Sequence, residues 1–180
     1  MKRLCWLFCF MCVIGCATTE ISGFSNPNVD FSLYKKIAVL GNVRDIAFRK
    51  ILEYDLANSF DSEKIDAIPV ISIASPIKNY TKKEFVKIMR KNKIDALLSV
   101  EVISSSKETS YVQIGNVFSP VSSPQISFEI ILKDVKSGKI AFKLTANSEG
   151  DSMSAISKSL AEKIVEIYMA ELFDDSGVFE

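Results

Sequence analysis

Histidine is absent from this chain of 180 residues, glycine and proline occur seven and five times, tryptophan once, and the four cysteines all fall before residue 17. Without an imidazole there is no Ser-His-Asp triad, no histidine general base and no histidine metal ligand. The glycines are scattered, so they form neither a phosphate-cradling loop nor a dinucleotide-binding pattern. Asp174-Asp175-Ser176-Gly177 lacks the alternating acidic positions of a hard-cation loop and reads as a polar terminus. Glu129 and Asp134, five positions apart on one predicted strand, fall on opposite sides of it. These absences argue against an enzyme and against a metal centre. Lysine and arginine together number 22, as do aspartate and glutamate, and so balanced a chain has no basic footprint for nucleic acid.

Cys5, Cys9, Cys12 and Cys16 lie in Leu4-Cys5-Trp6-Leu7-Phe8-Cys9-Phe10-Met11-Cys12-Val13-Ile14-Gly15-Cys16. A zinc site needs a second ligand pair from elsewhere, and none exists. Disulfides confined to so short a stretch would staple nothing in the remainder. The flanks supply the explanation. Met1-Lys2-Arg3 is a basic start, and Leu4 to Ile14 is an apolar run of signal-peptide length, well short of the ~20 residues of a spanning helix.

Val13-Ile14-Gly15-Cys16 resembles a bacterial lipobox, with valine where leucine is commoner. The resemblance implies cleavage between Gly15 and Cys16, a thioether to diacylglycerol on Cys16 and acylation of the freed amine. No other cofactor is expected. Cys5, Cys9 and Cys12 then leave with residues 1–15. With Lys2 and Arg3 gone, 20 basic residues face 22 acidic ones, a net charge of −2. Membrane attachment must therefore come from the lipid, at ~0.8 kcal/mol per buried methylene, with two or more chains giving lasting anchorage. Ala17 stands where an aspartate would imply inner-membrane retention, so the resemblance favours the outer membrane, facing the periplasm.

Residues 16–34 read as the lipidated cysteine and a polar tether, with Gly23 and Pro27 as punctuation. Extended, residues 17–34 reach ~60 Å, and as a flexible coil ~24 Å. Residues 35–173 read as a single globular α/β domain, and 174–180 as a tail. Lys36 to Gly41 has the continuous apolar character of a strand buried on both faces. Val43 to Phe60 carries apolar residues at helical spacing. Ile65 to Ala74 is β-branched but broken by Pro69, which suits a sheet edge or a bulge better than a sheet centre. Thr81-Lys82-Lys83-Glu84 fits a capping box opening a helix through about Lys91. Strands follow at Ile94 to Ile103, Tyr111 to Phe118, Gln125 to Val135 and Lys139 to Ser148, with Ser104 to Ser110 as a turn and Gly138 in a tight hairpin. A last helix is capped by Asp151 or Ser152, with Met153, Ile156, Leu160, Ile164, Ile167 and Tyr168 along its apolar stripe. The predicted order is βαβαβ-β-β-β-α, a mixed sheet of five to six strands with three helices. Lys-Ile-Asp-Ala occurs twice, at 64–67 and 93–96, each time between a helix and a strand.

This order, together with Phe31-Ser32-Leu33-Tyr34-Lys35-Lys36-Ile37-Ala38-Val39-Leu40, Ile94-Asp95-Ala96-Leu97-Leu98 and the Asp134 to Lys139 hairpin, resembles envelope lipoproteins whose α/β domain is similar to the amino-terminal domain of TolB. The group includes the curli-export lipoprotein CsgG and the penicillin-binding-protein activator LpoB. The resemblance spans roughly residues 31–173 and implies a non-catalytic binding or assembly module for another envelope component, with the membrane as a second partner. An alternative is an oligomeric pore or secretion-channel subunit of the curli-exporter type. The segment Gly115 to Pro124 reads as an irregular loop because two prolines oppose regular pairing. Its Val117, Phe118 and Val121 are the candidate docking residues, either folded back on the core or exposed to a partner or to lipid.

Overall fold

The computed structural model describes residues 17–114 and 117–173. It is a single α/β domain built on one six-stranded mixed sheet with three helices. The strands are β1 (Ala17–Ser25), β2 (Lys36–Asn42), β3 (Asp66–Pro69), β4 (Ala96–Ile114), β5 (Val117–Asp134) and β6 (Ile140–Gly150), and the helices are α1 (Ile46–Ser62), α2 (Lys82–Lys91) and α3 (Met153–Phe173). The sheet order is β1-β6-β5-β4-β2-β3. β2 pairs in parallel with both β3 and β4, and the other neighbours are antiparallel.

Local chemistry accounts for most element boundaries. Asp45 caps α1 by accepting from the Ala47 and Phe48 amides. The capping box of α2 is complete: Thr81 Oγ1 accepts from the Glu84 amide at 3.3 Å and Glu84 Oε2 from the Thr81 amide at 2.8 Å. Both partners are exposed, and the hydrogen bonds that the Thr81 amide and then the Thr81 hydroxyl donate to the Glu84 carboxylate hold that carboxyl below its usual range. Ser152, the second of the two predicted caps, accepts from the Ala155 amide at the start of α3. Between β5 and β6, Gly138 takes φ +74° as expected. Burial pushes the neighbouring Asp134 carboxyl up, but hydrogen bonds from Ser137 and Lys136 outweigh it and leave the group below its ordinary value.

The repeated Lys-Ile-Asp-Ala is a repeated helix ending. Lys64 and Lys93 both adopt left-handed conformations, at φ 65° and 56°. The following amides reach back over the last turn, Ile65 to the Phe60 carbonyl and Ile94 to the Met89 carbonyl. Each ending delivers the chain into a strand directly beside β2, β3 on one side and β4 on the other, so the shared tetrapeptide marks two equivalent α-to-β exits.

Helices α1 and α3 pack side by side on one face of the sheet. Phe48, Leu52, Leu56 and Phe60 from α1 and Ile156, Leu160, Ile164 and Tyr168 from α3 meet Val39, Leu98, Val100, Phe128, Ile130, Leu132, Phe142 and Leu144 in the main core. Each such side chain contributes about 1.5–3 kcal/mol on burial. Met153, predicted on the α3 stripe, sits in the first turn beyond the core edge and is exposed. Helix α2 covers the opposite face only over β2 and its neighbours, where Met89 joins Ala38, Val70, Ala74 and Ile94. Short β3, ending in Pro69, is the sheet edge that its proline predicted.

Three expectations change. The predicted tether contains β1, which pairs with β6 from Ala17↔Gly150 to Ser25↔Phe142. Its alternating face is anchored by Thr19, whose hydroxyl bonds both Ser148 and Ser159 at 2.9 Å, and by Ile21 against the core. Ser104 to Ser110 is not a turn but the middle of β4, which runs on past an irregularity between Val102 and Ser104. Finally, residues 117–124 are the start of β5 and not an irregular loop, since Pro120 pairs opposite Tyr111 and Pro124 opposite Lys107. There β5 has no second neighbour, because β6 reaches only to Gln125↔Glu149. A proline lacking its amide hydrogen is tolerated where one side of the strand is an open edge.

Candidate functional site

The two groups of residues singled out from sequence differ in what the structure says of them. Gly15 and Cys16, with the rest of the leader, lie outside the described residues, as does the 174–180 tail. Ala17, the residue after Cys16, is the first residue of β1 and lies opposite Gly150 at one end of the sheet. A Cβ on Gly150 would come within 2.7 Å of the Ala17 Cβ and 3.1 Å of Ile156. This close approach seats the start of the domain against the first turns of α3.

Val117, Phe118 and Val121 lie in the far part of the β4–β5 hairpin. β2 leaves β4 at Glu101 and β6 leaves β5 at Gln125. From Lys107↔Pro124 to Ile114↔Val117 the two strands pair only with each other, eight residue pairs in all. At about 3.3 Å per residue this ribbon extends about 26 Å past the sheet. It leaves from the end of the sheet at which β1 begins, because Ala17 lies opposite Gly150 and the neighbouring Glu149 lies opposite both Thr18 and Gln125. Only β6 separates β1 from β5, so the start of β1 is about 10 Å from the ribbon's base. Sequence reasoning found both features separately; their common end is a property of strand order and was not readable from spacing.

Among the described residues no group of three His, Cys, Asp or Glu side chains could hold a metal ion. A groove of about 630 Å³ between α1 and α3 is lined by Asp55, Glu63, Glu162 and Glu166 with Lys158 as a counter-charge, and it is open to solvent. The buried carboxylate that sequence reasoning missed is Glu53, fully enclosed on the inner side of α1. It accepts from the Gly41 amide at 3.0 Å, the Ile71 amide at 2.6 Å and Arg49 Nε at 2.7 Å. With every partner supplied by the fold, it ties the end of β2, the turn after β3 and α1 together. The sheet face left uncovered by α2 is polar, with Ser127 bonded to Asn147 and Glu129 paired to Lys143, each at 2.7 Å.

These features define a three-helix α/β domain with a projecting two-stranded ribbon. Its fold is shared with PelC of Paraburkholderia phytofirmans, solved as a dodecamer. The TM-score is 0.56 at 18% identity, over 84% of this chain and 97% of that one. A variant of the same dodecamer in a second crystal form gives 0.52 at 18% identity, over 87% and 99%. A lipoprotein of Neisseria meningitidis gives 0.46 at 18% identity, over 74% and 97%. No protein-family model matches the chain, and no curated protein matches it. Among the described residues no helix is long and apolar enough to cross a membrane.

Proposed function

We propose that this protein is a lipid-anchored lipoprotein of the bacterial cell envelope, a non-catalytic binding or assembly module for another envelope component. The observation that carries the reading is the position of β1. The strand begins at Ala17, directly after the cysteine of Val13-Ile14-Gly15-Cys16. Processing after Gly15 would leave the domain whole, with its lipid one residue from the sheet and no tether between. Three acyl chains on Cys16 would hold it there durably. Ala17 favours the outer membrane, facing the periplasm. The absence of histidine from the sequence supports a non-catalytic role. The finer kinship with TolB-like, CsgG-like and LpoB-like domains belongs to this proposal and is supported by the element order.

A second reading is favoured by one observation, the likeness to a chain solved as a dodecamer. In it the protein works as a ring, up to a pore or secretion-channel subunit of the curli-exporter type. Metabolic labelling with a palmitate analogue tests the anchor: the native chain should be labelled and processed, and Cys16→Ser should be neither. A labelled, processed Cys16→Ser protein would overturn the proposal. Light scattering of the detergent-extracted protein separates a monomer from a ring.

A further inference from the structure

We infer that the basic outer face of α2 docks into the acidic groove between α1 and α3 of a second copy of this chain. The inference rests on the ring reading given above and deepens it, naming the two surfaces that would repeat around such an assembly.

The first observation is the distribution of charge. The chain is neutral as a whole, yet residues 78–93 hold seven lysines and arginines against the single carboxylate of Glu84, a net +6 that leaves −6 for everything else. Lys82, Lys83, Lys87 and Arg90 line one shallow surface of α2, all exposed, and among the described residues none of them pairs with a carboxylate. The helix itself gains little from them. Lys82 and Lys83 stand in its first turn, where the helix dipole opposes cations, and Lys83, Lys87 and Lys91 repel one another at four-residue spacing. A pattern that works against the helix carrying it has its use outside that helix.

The second is a surface of opposite sign on the same chain. The groove between α1 and α3 sets Asp55, Glu63, Glu162 and Glu166 against Lys158 alone, and Glu166 is already engaged by Lys163 at 2.7 Å. Asp55, Glu63 and Glu162 have no ion-pair partner among the described residues. One oxygen of Asp55, Oδ2, is shut off from solvent and accepts no hydrogen bond, which leaves its charge poorly compensated. Val165 and Met169 give the groove an apolar part that lysine stems can cover.

The third is placement. Helices α1 and α3 lie on one face of the sheet and α2 on the other, so the two surfaces point in opposite directions and one chain cannot close them on itself. The contact is head-to-tail, and its repetition makes a ring or a filament. It runs across the sheet, perpendicular to the strands, whereas Ala17 lies at a strand end. Copies joined in this way can close around an axis parallel to the strands with every Ala17 on one side, as anchorage in a shared membrane requires. A helix of ten residues is only ~15 Å long, so the contact is small, dominated by charge and screened by salt.

The test is light scattering of the full-length protein extracted in a neutral detergent, with charges reversed in pairs. Lys83→Glu with Lys87→Glu, or Glu162→Lys with Glu166→Lys, should each weaken self-association by ~100-fold or more, since like charges then meet across the contact. All four changes together restore opposite charges and should restore the assembly. The native assembly should also dissociate as sodium chloride rises from ~0.1 M to ~1 M. That measurement needs no variant and decides the matter should a reversed protein melt early. Assembly that survives both reversals, or a native assembly indifferent to salt, overturns this contact and leaves the ring reading standing. A native chain that is monomeric throughout overturns both. Dissociation by the α2 reversal with no effect of the groove reversal overturns the groove as the docking site. If the α2 reversal leaves the mass unchanged but abolishes binding to phosphatidylglycerol vesicles, the helix belongs to anionic lipid and the inference is overturned.

Discussion

Replacing Glu53 by alanine should be among the most damaging single changes to this domain. Its carboxylate is fully buried and accepts from two backbone amides, those of Gly41 and Ile71, and from Arg49 Nε. Glu53→Ala leaves all three donors without their acceptor and opens a void at the junction of α1, β2 and the turn after β3. Each orphaned donor costs about 1–3 kcal/mol, and breaking a buried charged pair about 3–5 kcal/mol. Since these overlap, the expected loss is about 4 kcal/mol, a large part of the roughly 5–15 kcal/mol that holds a domain together. In urea unfolding this appears as a shift of the midpoint with little change in slope. Glu53→Gln keeps the shape and one oxygen and should lose about half as much. The double change Arg49→Met with Glu53→Met removes the charge problem but still strands both amides, and should stay about 2 kcal/mol below the native protein. A Glu53→Ala protein within about 1 kcal/mol of native would refute the reasoning, because it would mean that the three donors find water or other acceptors at no cost.

Lys64 and Lys93 hold left-handed backbones that cost a non-glycine residue about 1 kcal/mol. Lys64→Gly and Lys93→Gly should therefore each raise the melting temperature by about 2–4 °C, and a fall in both would contradict the shared helix ending. Alkaline pH should loosen the aromatic cluster at the base of α3. Burial, then the nearby Asp134 and Asp30, push the Tyr34 hydroxyl up to about 12, and burial followed by Tyr34 and Asp95 pushes Tyr168 higher. Unfolded tyrosine ionises near pH 10, so the folded state binds these protons more tightly; stability is complete below pH 10 and falls as pH rises from 10 through 12. A urea midpoint unchanged between pH 9 and pH 11 would contradict this.

The legible parts of the fold were those where a single residue type forces a geometry. Pro69 marked the edge strand, Thr81 with Glu84 the start of α2, and Gly138 the β5–β6 turn. The illegible parts were decided by partners remote in sequence. Residues 17–25 are mostly polar and become a strand because β6, more than a hundred residues later, offers an open edge and Ser148 and Ser159 receive the Thr19 hydroxyl. Serines at 104–106 look like a turn, yet continue a strand because β5 lies opposite each of them. Pro120 and Pro124 oppose pairing only where both sides of a strand are used, and here β6 has already ended. Glu53 falls at a polar position between the apolar residues of α1, and nothing nearby in sequence announces that Gly41 and Ile71 converge on it. The candidate site behaved likewise: its lipobox and its oily segment stand about a hundred residues apart, and only strand order brings them to one end.

The central claim, a lipid on Cys16 at the threshold of β1, is tested most directly by the intact mass and amino-terminal peptide of the mature protein extracted from its native membranes. The account predicts a chain that starts at Cys16 and carries a diacylglycerol and an amide-linked acyl group. A mature protein that keeps residues 1–15, or one cut elsewhere with an unmodified Cys16, would contradict it.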